Sequence, residues 1–304
     1  MNIKNKLTLI QKLSGKTQEK LAFELGVSFP TINSWLNEKS IPRKDAEKRI
    51  EELFLRLTGQ NIVPDSLLEA KKFGILEKRR EFPKILRLLD DRKDLYDQFL
   101  LSITYNTNSI EGSTLTEPET AAILFQNASL PDKSIIEQME VKNHQAAFRY
   151  VIRYLFGQGK MTEEFIFKIH QILMNGIKED AGQYRTHAVR IAGSNVPTAN
   201  YLKVPILMQA LMRDIVNKDE DIIGFSAYIH SRFEQIHPFS DGNGRVGRLL
   251  LAAMLLKEDF VPAIIAQEKR RFYIMYLNQS QLHGDFSRLE DFLCDGILAG
   301  YDIL

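Results

Sequence analysis

The sequence predicts a mainly α-helical protein, in which a small all-α helix-turn-helix domain precedes a larger helical domain with one small β-hairpin. Apolar residues recur at spacings of three and four over most of the chain, which is the period of an amphipathic helix. Alternation of apolar and polar residues, which is typical of strands, is clear only within residues 187–205. The 304 residues, of which 44% are hydrophobic and 26% charged, suffice for about two globular domains.

Composition and charge exclude several classes of protein. Lys plus Arg (40) and Asp plus Glu (39) nearly balance, which excludes a nucleic-acid-binding protein that is strongly basic throughout. The single cysteine, Cys294, excludes an internal disulfide and a cysteine-rich zinc module. No apolar run approaches the roughly 18 residues that a membrane span needs, and the N-terminal residues lack the long apolar segment of a signal peptide. We therefore expect a soluble cytoplasmic protein with no membrane partner.

The first predicted elements are two helices joined by a tight turn within residues 17–43. Gly26 suits the positive φ that ends a helix, Ser28 is a favourable N-cap, and Pro30 is tolerated in the first turn of the next helix. The apolar residues expected to face the core of this helix pair are Leu21, Ala22, Leu25, Val27, Ile32, Trp35 and Leu36. The pattern resembles the helix-turn-helix of phage-repressor-like DNA-binding domains, and we assign residues 1–57 to this domain.

That resemblance implies DNA binding through residues 17–43, with the second helix in the major groove. Bases would face Ser28, Phe29, Thr31 and Asn33, and phosphates would face Gln18 and Lys39. Residues 1–50 hold ten basic and five acidic side chains, a net charge of +5 that suits an anionic partner. The alternatives are a helix-turn-helix that contacts protein and a merely solvated basic surface. A homodimer is expected if the domain binds paired half-sites.

The remainder of the chain is predicted as a linker followed by a second, helical domain. Residues 58–94 are assigned to a linker and a connecting helix, because Gly59, Asn61 and Pro64 lie close together at its start. Residues 95–304 are assigned to the second domain. Apolar periodicity predicts helices at 84–110, 134–157, 162–178, 203–217, 220–235, 245–257, 268–281 and 287–298.

The predicted β-hairpin of residues 187–205 interrupts this helical pattern. Val189 and Ile191 alternate with Arg190, and the residues that follow are rich in Gly, Ser, Asn and Pro. The hairpin turn is expected near residues 193–197.

Residues 237–248, with the sequence HPFSDGNGRVGR, combine residue types that bind and transfer phosphate groups. The turn at 242–244 leads into a helix, so that free backbone N–H groups and the positive end of the helix dipole form an anion site. Arg245 and Arg248 are three residues apart and project from one side of the first turn. Two guanidiniums in this arrangement suit a polyphosphate.

Two further residues of this segment add chemistry. Asp241 offers one carboxylate, which suffices for Mg²⁺ because that ion takes further ligands from phosphates and water. His237 is the only nearby residue whose unperturbed pKa makes it a base at neutral pH. The base, the metal ligand, the anion site and the arginines together predict phosphoryl or nucleotidyl transfer.

Residues 237–248 resemble the Fic family motif HxFx(D/E)GNGRxxR at every defined position, and the resemblance covers about residues 95–298. It implies a helical Fic domain with a β-hairpin flap, and Mg²⁺-dependent transfer of AMP from ATP to a Ser, Thr or Tyr hydroxyl of a target protein. The target would dock on the hairpin of residues 187–205 by strand addition, with main-chain hydrogen bonds supplying the affinity.

The resemblance also implies a role for each residue of the site. His237 would accept the proton of the attacking hydroxyl as the catalytic base, and Asp241 would hold Mg²⁺. The residues that would bind the nucleotide are Gly242, Asn243, Gly244, Arg245, Arg248 and Tyr273. Arg245 would contact the β-phosphate, Arg248 the γ-phosphate, and Tyr273 would stack on adenine unless it is a plain core residue.

A second motif is predicted to oppose the first. Residues 107–112, TNSIEG, fit the inhibitory pattern (S/T)xxxE(G/N) of the same family, with Thr107, Glu111 and Gly112 at its defined positions. The implied action is electrostatic, because Glu111 would pair with Arg248 and exclude the γ-phosphate. The alternatives are a simple helix end at Gly112, and a glutamate that also supports removal of AMP.

The leading interpretation is a self-inhibited protein adenylyltransferase fused to a helix-turn-helix. One alternative is a DNA-binding transcriptional regulator that senses nucleotide with little or no transfer. A second is an enzyme that uses another donor or moves another group, although Arg248 favours a triphosphate.

Overall fold

The computed structural model describes residues 3–58, 65–191, 196–217 and 219–304, and helices dominate throughout. The chain divides into two compact units, Met1–Ile62 and Val63–Leu304. Two 3₁₀ helices cover Tyr201–Lys203 and Gln267–Lys269. The α-helices are α1 Ile3–Ser14, α2 Gln18–Glu24, α3 Phe29–Leu36, α4 Lys44–Thr58, α5 Asp65–Glu81, α6 Ile85–Asp91, α7 Lys93–Ile110, α8 Glu117–Gln126, α9 Ile135–Phe156, α10 Glu163–Leu173, α11 Val204–Val216, α12 Ile222–Ile236, α13 Asn243–Lys257, α14 Arg270–His283 and α15 Ser287–Tyr301.

The first unit is a helix-turn-helix of α2 and α3, completed by α1 and α4. The Thr17 side chain caps α2 by accepting the Lys20 N–H, and Gly26 takes φ +63 in the turn. The flanking helices α1 and α4 pack on each other and complete the core that α2 and α3 begin. The core consists of Leu7, Ile10, Leu21, Ala22, Leu25, Ile32, Trp35, Ala46, Ile50, Leu53 and Phe54. The predicted helix pair is confirmed, and α1 and α4 supply the apolar surface that it needs.

The second unit is built around α13, which is buried along nearly its whole length. From Val246 to Leu256 every residue is buried, and α13 packs against α12, α10, α9 and α7. A helix that is apolar on all sides is stable only inside a core. The first turn of α13 is therefore fixed by four neighbouring helices, and this turn holds the predicted anion site.

Helix α5 belongs to the second unit and packs along α15. Two consecutive lysines hold it there: Lys71 pairs with Asp291 at 2.5 Å, and Lys72 pairs with Glu290 and with Asp221. Its apolar face buries Leu68 and Ile75. Among the described residues, no helix of the chain is both long and apolar enough to cross a membrane.

The helices differ from those predicted by periodicity most clearly at one break and in one additional helix. The helix expected over 84–110 is divided into α6 and α7 at Arg92, which leaves the helical region with φ −113 and ψ 89. The apolar period continues across the break, because Leu89 and Leu95 are buried in the same core. Helix α8 was not predicted, although Thr116 and Glu119 form a capping box at its start.

The β-hairpin predicted for residues 187–205 is not confirmed. No strand occurs in residues 187–191 or 196–200, and residues 193–195 of the turn expected near 193–197 lie outside the described residues. The described arms are joined by the Thr198 hydroxyl, which donates to the Val189 carbonyl at 2.8 Å.

The C-terminal end of that prediction is wrong, because the chain turns helical at Tyr201. The Asn200 side chain accepts the Leu202 N–H at 3.0 Å and starts the 3₁₀ helix, and Pro205 lies in the first turn of α11. Such caps start helices and do not extend strands.

Candidate active site

The loop between α12 and α13 is held by its own side chains and by α10. The Asn243 side chain accepts a hydrogen bond from the Phe239 N–H and donates one to the Phe239 carbonyl, both at 2.8 Å. The buried Phe239 ring stacks on His170, with ring centroids 3.7 Å apart. Gly242 has φ +74, and a Cβ there would lie 2.7 Å from Met174 Sδ, so the position requires glycine. The start of α13 is thus presented in a defined conformation.

His237 follows the last residue of α12 and caps that helix with φ +51, a left-handed conformation that is unusual outside glycine. Its Nδ1 lies 3.2 Å from the Glu234 carbonyl. A carbonyl only accepts, so Nδ1 holds the proton and the Nε2 lone pair is the basic site. Burial lowers the pKa of His237 to about 4, so the imidazole is neutral at pH 7.

Arg248 is buried and is held by the inhibitory motif. Its Nε donates to the Thr107 hydroxyl at 2.6 Å, and its Nη2 donates to the Glu111 carboxylate at 2.5 Å. The Glu111 side chain remains 38% exposed, and Gly112 follows it with φ +105. Burial would raise the pKa of Glu111, but the adjacent Arg248 guanidinium outweighs it and lowers the pKa overall. Glu111 is therefore ionised and paired.

Gly244 allows Glu111 to reach the N-terminus of α13. A Cβ at this position would collide with Glu111 Oε1 and would lie 3.0 Å from Arg248 Nη1. The carboxylate consequently lies beside the first turn of α13, where the helix dipole favours negative charge. An internal anion faces the site that the sequence predicts for phosphates.

Arg245 is 5% exposed and has a different carboxylate partner. Its Nη1 pairs with Glu140 of α9 at 2.5 Å, and its Nη2 lies 3.6 Å from Asp241. Its buried Nε has no hydrogen-bond partner within the described part of the chain. Glu140 was missed from the sequence, since 105 residues separate it from Arg245 and no motif marks it.

Asp241 lies at the mouth of the loop, with its side chain 45% exposed. Its Oδ1 accepts the Gly242 N–H at 2.6 Å, and its Oδ2 lies 3.4 Å from Lys178 Nζ. Burial would raise the pKa of Asp241, yet Arg245 and the Gly242 N–H lower it overall. No cluster of three His, Cys, Asp or Glu side chains suited to a metal occurs among the described residues. One ionised, accessible carboxylate fits Mg²⁺ that takes its other ligands from phosphates and water.

Tyr273 lies against Arg248 and is 2% exposed. Its hydroxyl is 2.7 Å from His230 Nε2, and its ring centroid lies 5.9 Å from the Arg248 guanidinium carbon. His230 Nδ1 is 3.2 Å from the Gly247 carbonyl and therefore carries the ring proton, so that Nε2 accepts a hydrogen bond from the Tyr273 hydroxyl. Tyr273 therefore supports the arginine from inside the core, and its contact with adenine remains a prediction.

The comparisons with known proteins agree with this geometry. Residues 160–255 match the Fic/DOC family, and residues 10–54 match a helix-turn-helix family. Residues 160–255 are a Fic/DOC domain. Among curated proteins, Protein adenylyltransferase Fic of Nematostella vectensis is 36% identical over 198 residues, covering 64% of this chain and 45% of that protein. Its counterpart in Culex quinquefasciatus is 27% identical over 239 residues, covering 75% and 46%. The chain thus spans less than half the length of these relatives.

Solved structures share the fold of the Fic domain. Fic-1 from C. elegans superposes with a TM-score of 0.70 at 23% identity, covering 99% of this chain and 86% of that chain. A Fic domain containing signaling protein from Bacteroides thetaiotaomicron gives 0.63 at 21% identity, covering 74% and 95%.

The Fic domain contains a further buried acid that sequence reasoning did not identify. Glu234 lies one turn before His237 and is 6% exposed, and no described residue provides a hydrogen-bond partner for its Oε1. Burial raises its pKa to about 7. Gly247 provides the space, because a Cβ there would collide with Glu234 Oε1.

In the helix-turn-helix unit, the predicted DNA-facing residues lie on and around α3. Ser28, Phe29, Asn33 and Lys39 are exposed, and Gln18 and Thr31 are half-buried. The Ser28 and Thr31 hydroxyls bond to each other at 2.8 Å, and the Asn33 side chain accepts a hydrogen bond from Asn37. Their contacts with DNA remain predictions.

Proposed function

We propose that the chain is a protein adenylyltransferase that transfers AMP from ATP to a Ser, Thr or Tyr hydroxyl of a target protein. One observation carries the proposal: a neutral His237, with its base at Nε2, stands beside a helix N-terminus flanked by two buried arginines. In this chemistry the hydroxyl oxygen bonds to the α-phosphorus and its proton passes to His237 Nε2. The bond from the α-phosphorus to the bridging oxygen breaks, and pyrophosphate leaves.

The nucleotide would be held by groups that are already fixed in place. The backbone N–H groups at Asn243 and Gly244 would bind the α-phosphate, since the Asn243 side chain is engaged by Phe239. Arg245 and Arg248 would bind the β- and γ-phosphates. Asp241 would hold Mg²⁺, which supplies neutralisation of phosphate charge when bound.

We further propose that Glu111 inhibits the reaction by occupying Arg248. An arginine–carboxylate hydrogen bond is worth about 1.5–3 kcal/mol, so displacing it would lower the apparent ATP affinity roughly tenfold or more. The Glu111 side chain is 38% exposed, which favours the lower end of that range. Its place at the end of α7, next to Gly112, makes it displaceable without unfolding the core.

We propose that the target docks along residues 187–199 through main-chain hydrogen bonds. The support is the exposure of His187, Ala188 and Arg190 and the absence of strand pairing in the described part of this segment. ATP as the substrate is consistent with a cytoplasmic location.

The decisive experiment uses the Glu111→Gly protein with ATP labelled at either the α- or the γ-phosphate. Labelling of the protein itself should rise at least tenfold over the parent, and only the α label should be retained. The matched control adds His237→Ala to the same protein and should remove the label. Label from the γ position would indicate a kinase, and no label from either would favour a nucleotide sensor.

A second function is favoured by the N-terminal unit, and we propose that it binds DNA, as a homodimer on paired half-sites. The support is the helix-turn-helix match and the exposed residues at the start of α3. The test is selection from a random duplex library by the full chain. Asn33→Ala should change the selected sequence, whereas Lys39→Ala should weaken binding uniformly. Recovery of unselected sequences at low salt would contradict specific DNA binding.

A further inference from the structure

Arg185 is a buried arginine whose guanidinium donates hydrogen bonds to main-chain carbonyls. It is 3% exposed, and no salt bridge to it occurs among the described residues. Nε donates to the His237 carbonyl at 2.7 Å and Nη1 to the His187 carbonyl at 2.7 Å. Nη2 donates to the Ala199 carbonyl at 2.5 Å and, more weakly, to the Ile236 carbonyl at 3.4 Å. One side chain thus joins three separate stretches of backbone.

The first of these stretches is the end of α12, where His237 stands. The last carbonyls of a helix lack partners within it, and a cation is favoured at this end of the helix dipole. His237 also takes φ +51, a left-handed conformation that is unfavourable for a residue with a Cβ. Arg185 offsets both penalties, because its side chain satisfies the His237 carbonyl and its own N–H donates to the Pro238 carbonyl at 3.0 Å.

The other two stretches are the arms of the segment 187–199. The carbonyls of His187 and Ala199 meet at the same guanidinium, and the Ala199 N–H donates to the Gln235 carbonyl at 3.2 Å. The base of the segment is therefore attached to the last turn of α12. A displacement of either arm would act directly on the backbone of His237.

We propose that Arg185 is a positioning residue for AMP transfer, which fixes the His237 backbone and ties it to the two arms of the target-docking segment. The role of Arg185 in AMP transfer rests on the proposed function. Lysine cannot replace this residue. The planar guanidinium of arginine reaches carbonyls on three stretches of backbone, and the single ammonium group of lysine cannot. Free guanidinium can replace the missing group when the side chain is truncated to alanine, since it has the same donors.

The test compares Arg185→Ala and Arg185→Lys, each in the Glu111→Gly protein, with Arg213→Ala as the control for loss of an exposed arginine. The rate of self-labelling from α-labelled ATP should fall about 10²-fold in both Arg185 variants, as for a catalytic group that is misplaced. ATP binding, measured by equilibrium dialysis, should stay close to that of the parent. Millimolar guanidinium should restore labelling in Arg185→Ala and leave Arg213→Ala unchanged.

A second readout needs no activity, because the His237 imidazole can be titrated by NMR. The pKa of His237 is lowered to about 4 by burial, and the Arg185 charge adds to that effect. Removing Arg185 should therefore raise the pKa of His237 towards its ordinary value.

The outcomes separate the inference from the proposed function. Parent-like labelling in both Arg185 variants, with an unchanged His237 titration in Arg185→Ala, would overturn the inference. If the Glu111→Gly parent itself transfers no AMP, the proposed function fails, and the titration still decides the positioning role. If Arg185→Ala does not fold, the inference is tested by Arg185→Lys, for which parent-like labelling overturns it.

Discussion

Burial disfavours the protonated form of His237, so its pKa is lower than that of a histidine in solution. Its pKa is lowered to about 4, so the Nε2 base stays available as the pH falls from 7 to 5. A histidine with an ordinary pKa of about 6.5 would lose most of its base form over the same interval. The residue is thus suited to act as a base without any conformational change.

We predict that kcat/KM for AMP transfer by the Glu111→Gly protein changes little between pH 7 and 5. His237→Ala in that protein should lower the rate by about 10²–10⁴-fold at each pH, as expected for loss of a general base. The measurement is the pH–rate profile of labelling at low ATP concentration. A fall of the rate with a midpoint near 6.5 would show that another histidine, or an exposed His237, limits the reaction.

The two arginines of the site are paired with carboxylates that differ in how they are held. Glu111 stands at the end of a helix and is 38% exposed, whereas Glu140 lies within the 22-residue helix α9 and is 18% exposed. Glu111 can leave by movement of the helix end, and Glu140 cannot. The first contact is therefore a removable block, and the second a permanent support for Arg245.

We predict opposite effects for the same chemical change at the two sites. Glu111→Gln should strengthen binding of Mg-ATP, because Arg248 is released. Glu140→Gln should weaken it by about tenfold, since Arg245 loses a charged hydrogen bond and turns towards Asp241, 3.6 Å away. Equilibrium dialysis with labelled ATP measures both. Stronger binding by Glu140→Gln would mean that Glu140 is a second inhibitor.

At the scale of elements, the chemistry of the site could be predicted from the sequence because it lies in one continuous stretch. A turn followed by a helix N-terminus is encoded by neighbouring residues, and α13 begins directly after Gly242 as that pattern requires. Glu140 and Arg185 could not be found in this way, since tertiary packing brings them to the site. The hairpin prediction rested on only three alternating residues, which is too short a pattern to distinguish paired from unpaired arms.

Gly242, in the loop before α13, can be compared with Gly284, which caps α14. Gly242 and Gly284 have φ +74 and +67, so alanine is strained at both. Only at Gly242 would the new Cβ meet a neighbour, Met174 Sδ at 2.7 Å. Gly284→Ala should cost about 1–2 kcal/mol of stability, and Gly242→Ala about 1–3 kcal/mol more.

Chemical denaturation of the two variants measures this difference, and ATP dialysis measures its effect on the site. Gly242→Ala should also weaken nucleotide binding, because Met174 can yield only if the loop shifts. Equal losses of stability in both variants would show that the loop adapts without strain.

In the molecule as a whole, the histidines are distributed unevenly between the two units. All six histidines lie beyond residue 143, within the second unit. Burial lowers the pKa of His144 and His230 to about 3 and that of His170 to about 4. Together with the half-buried His237, four histidines of the second unit are held in the neutral form.

Acidification should therefore destabilise the second unit and leave the first largely unaffected. Below pH 6.5 the unfolded chain protonates these histidines while the folded chain does not, so each removes about 1.4 kcal/mol of stability per pH unit until its folded pKa is reached. Glu234 acts in the opposite sense between pH 7 and 4.5, because its folded pKa of about 7 exceeds its ordinary value. The net loss is equivalent to that from three histidines, about 4 kcal/mol per pH unit, and extends from about pH 6.5 to 4.5.

The chain contains a spectroscopic probe that separates the two units, since its single tryptophan, Trp35, is buried in the helix-turn-helix core. Between pH 7 and 5, the thermal transition followed by Trp35 fluorescence should move little, while the main transition in circular dichroism should fall steeply. His144→Gln should reduce the pH dependence of the second transition by about 1.4 kcal/mol per pH unit, and the exposed control His283→Gln should not. If both transitions fall together on acidification, the buried histidines are not the cause, because none of them lies in the unit that Trp35 reports.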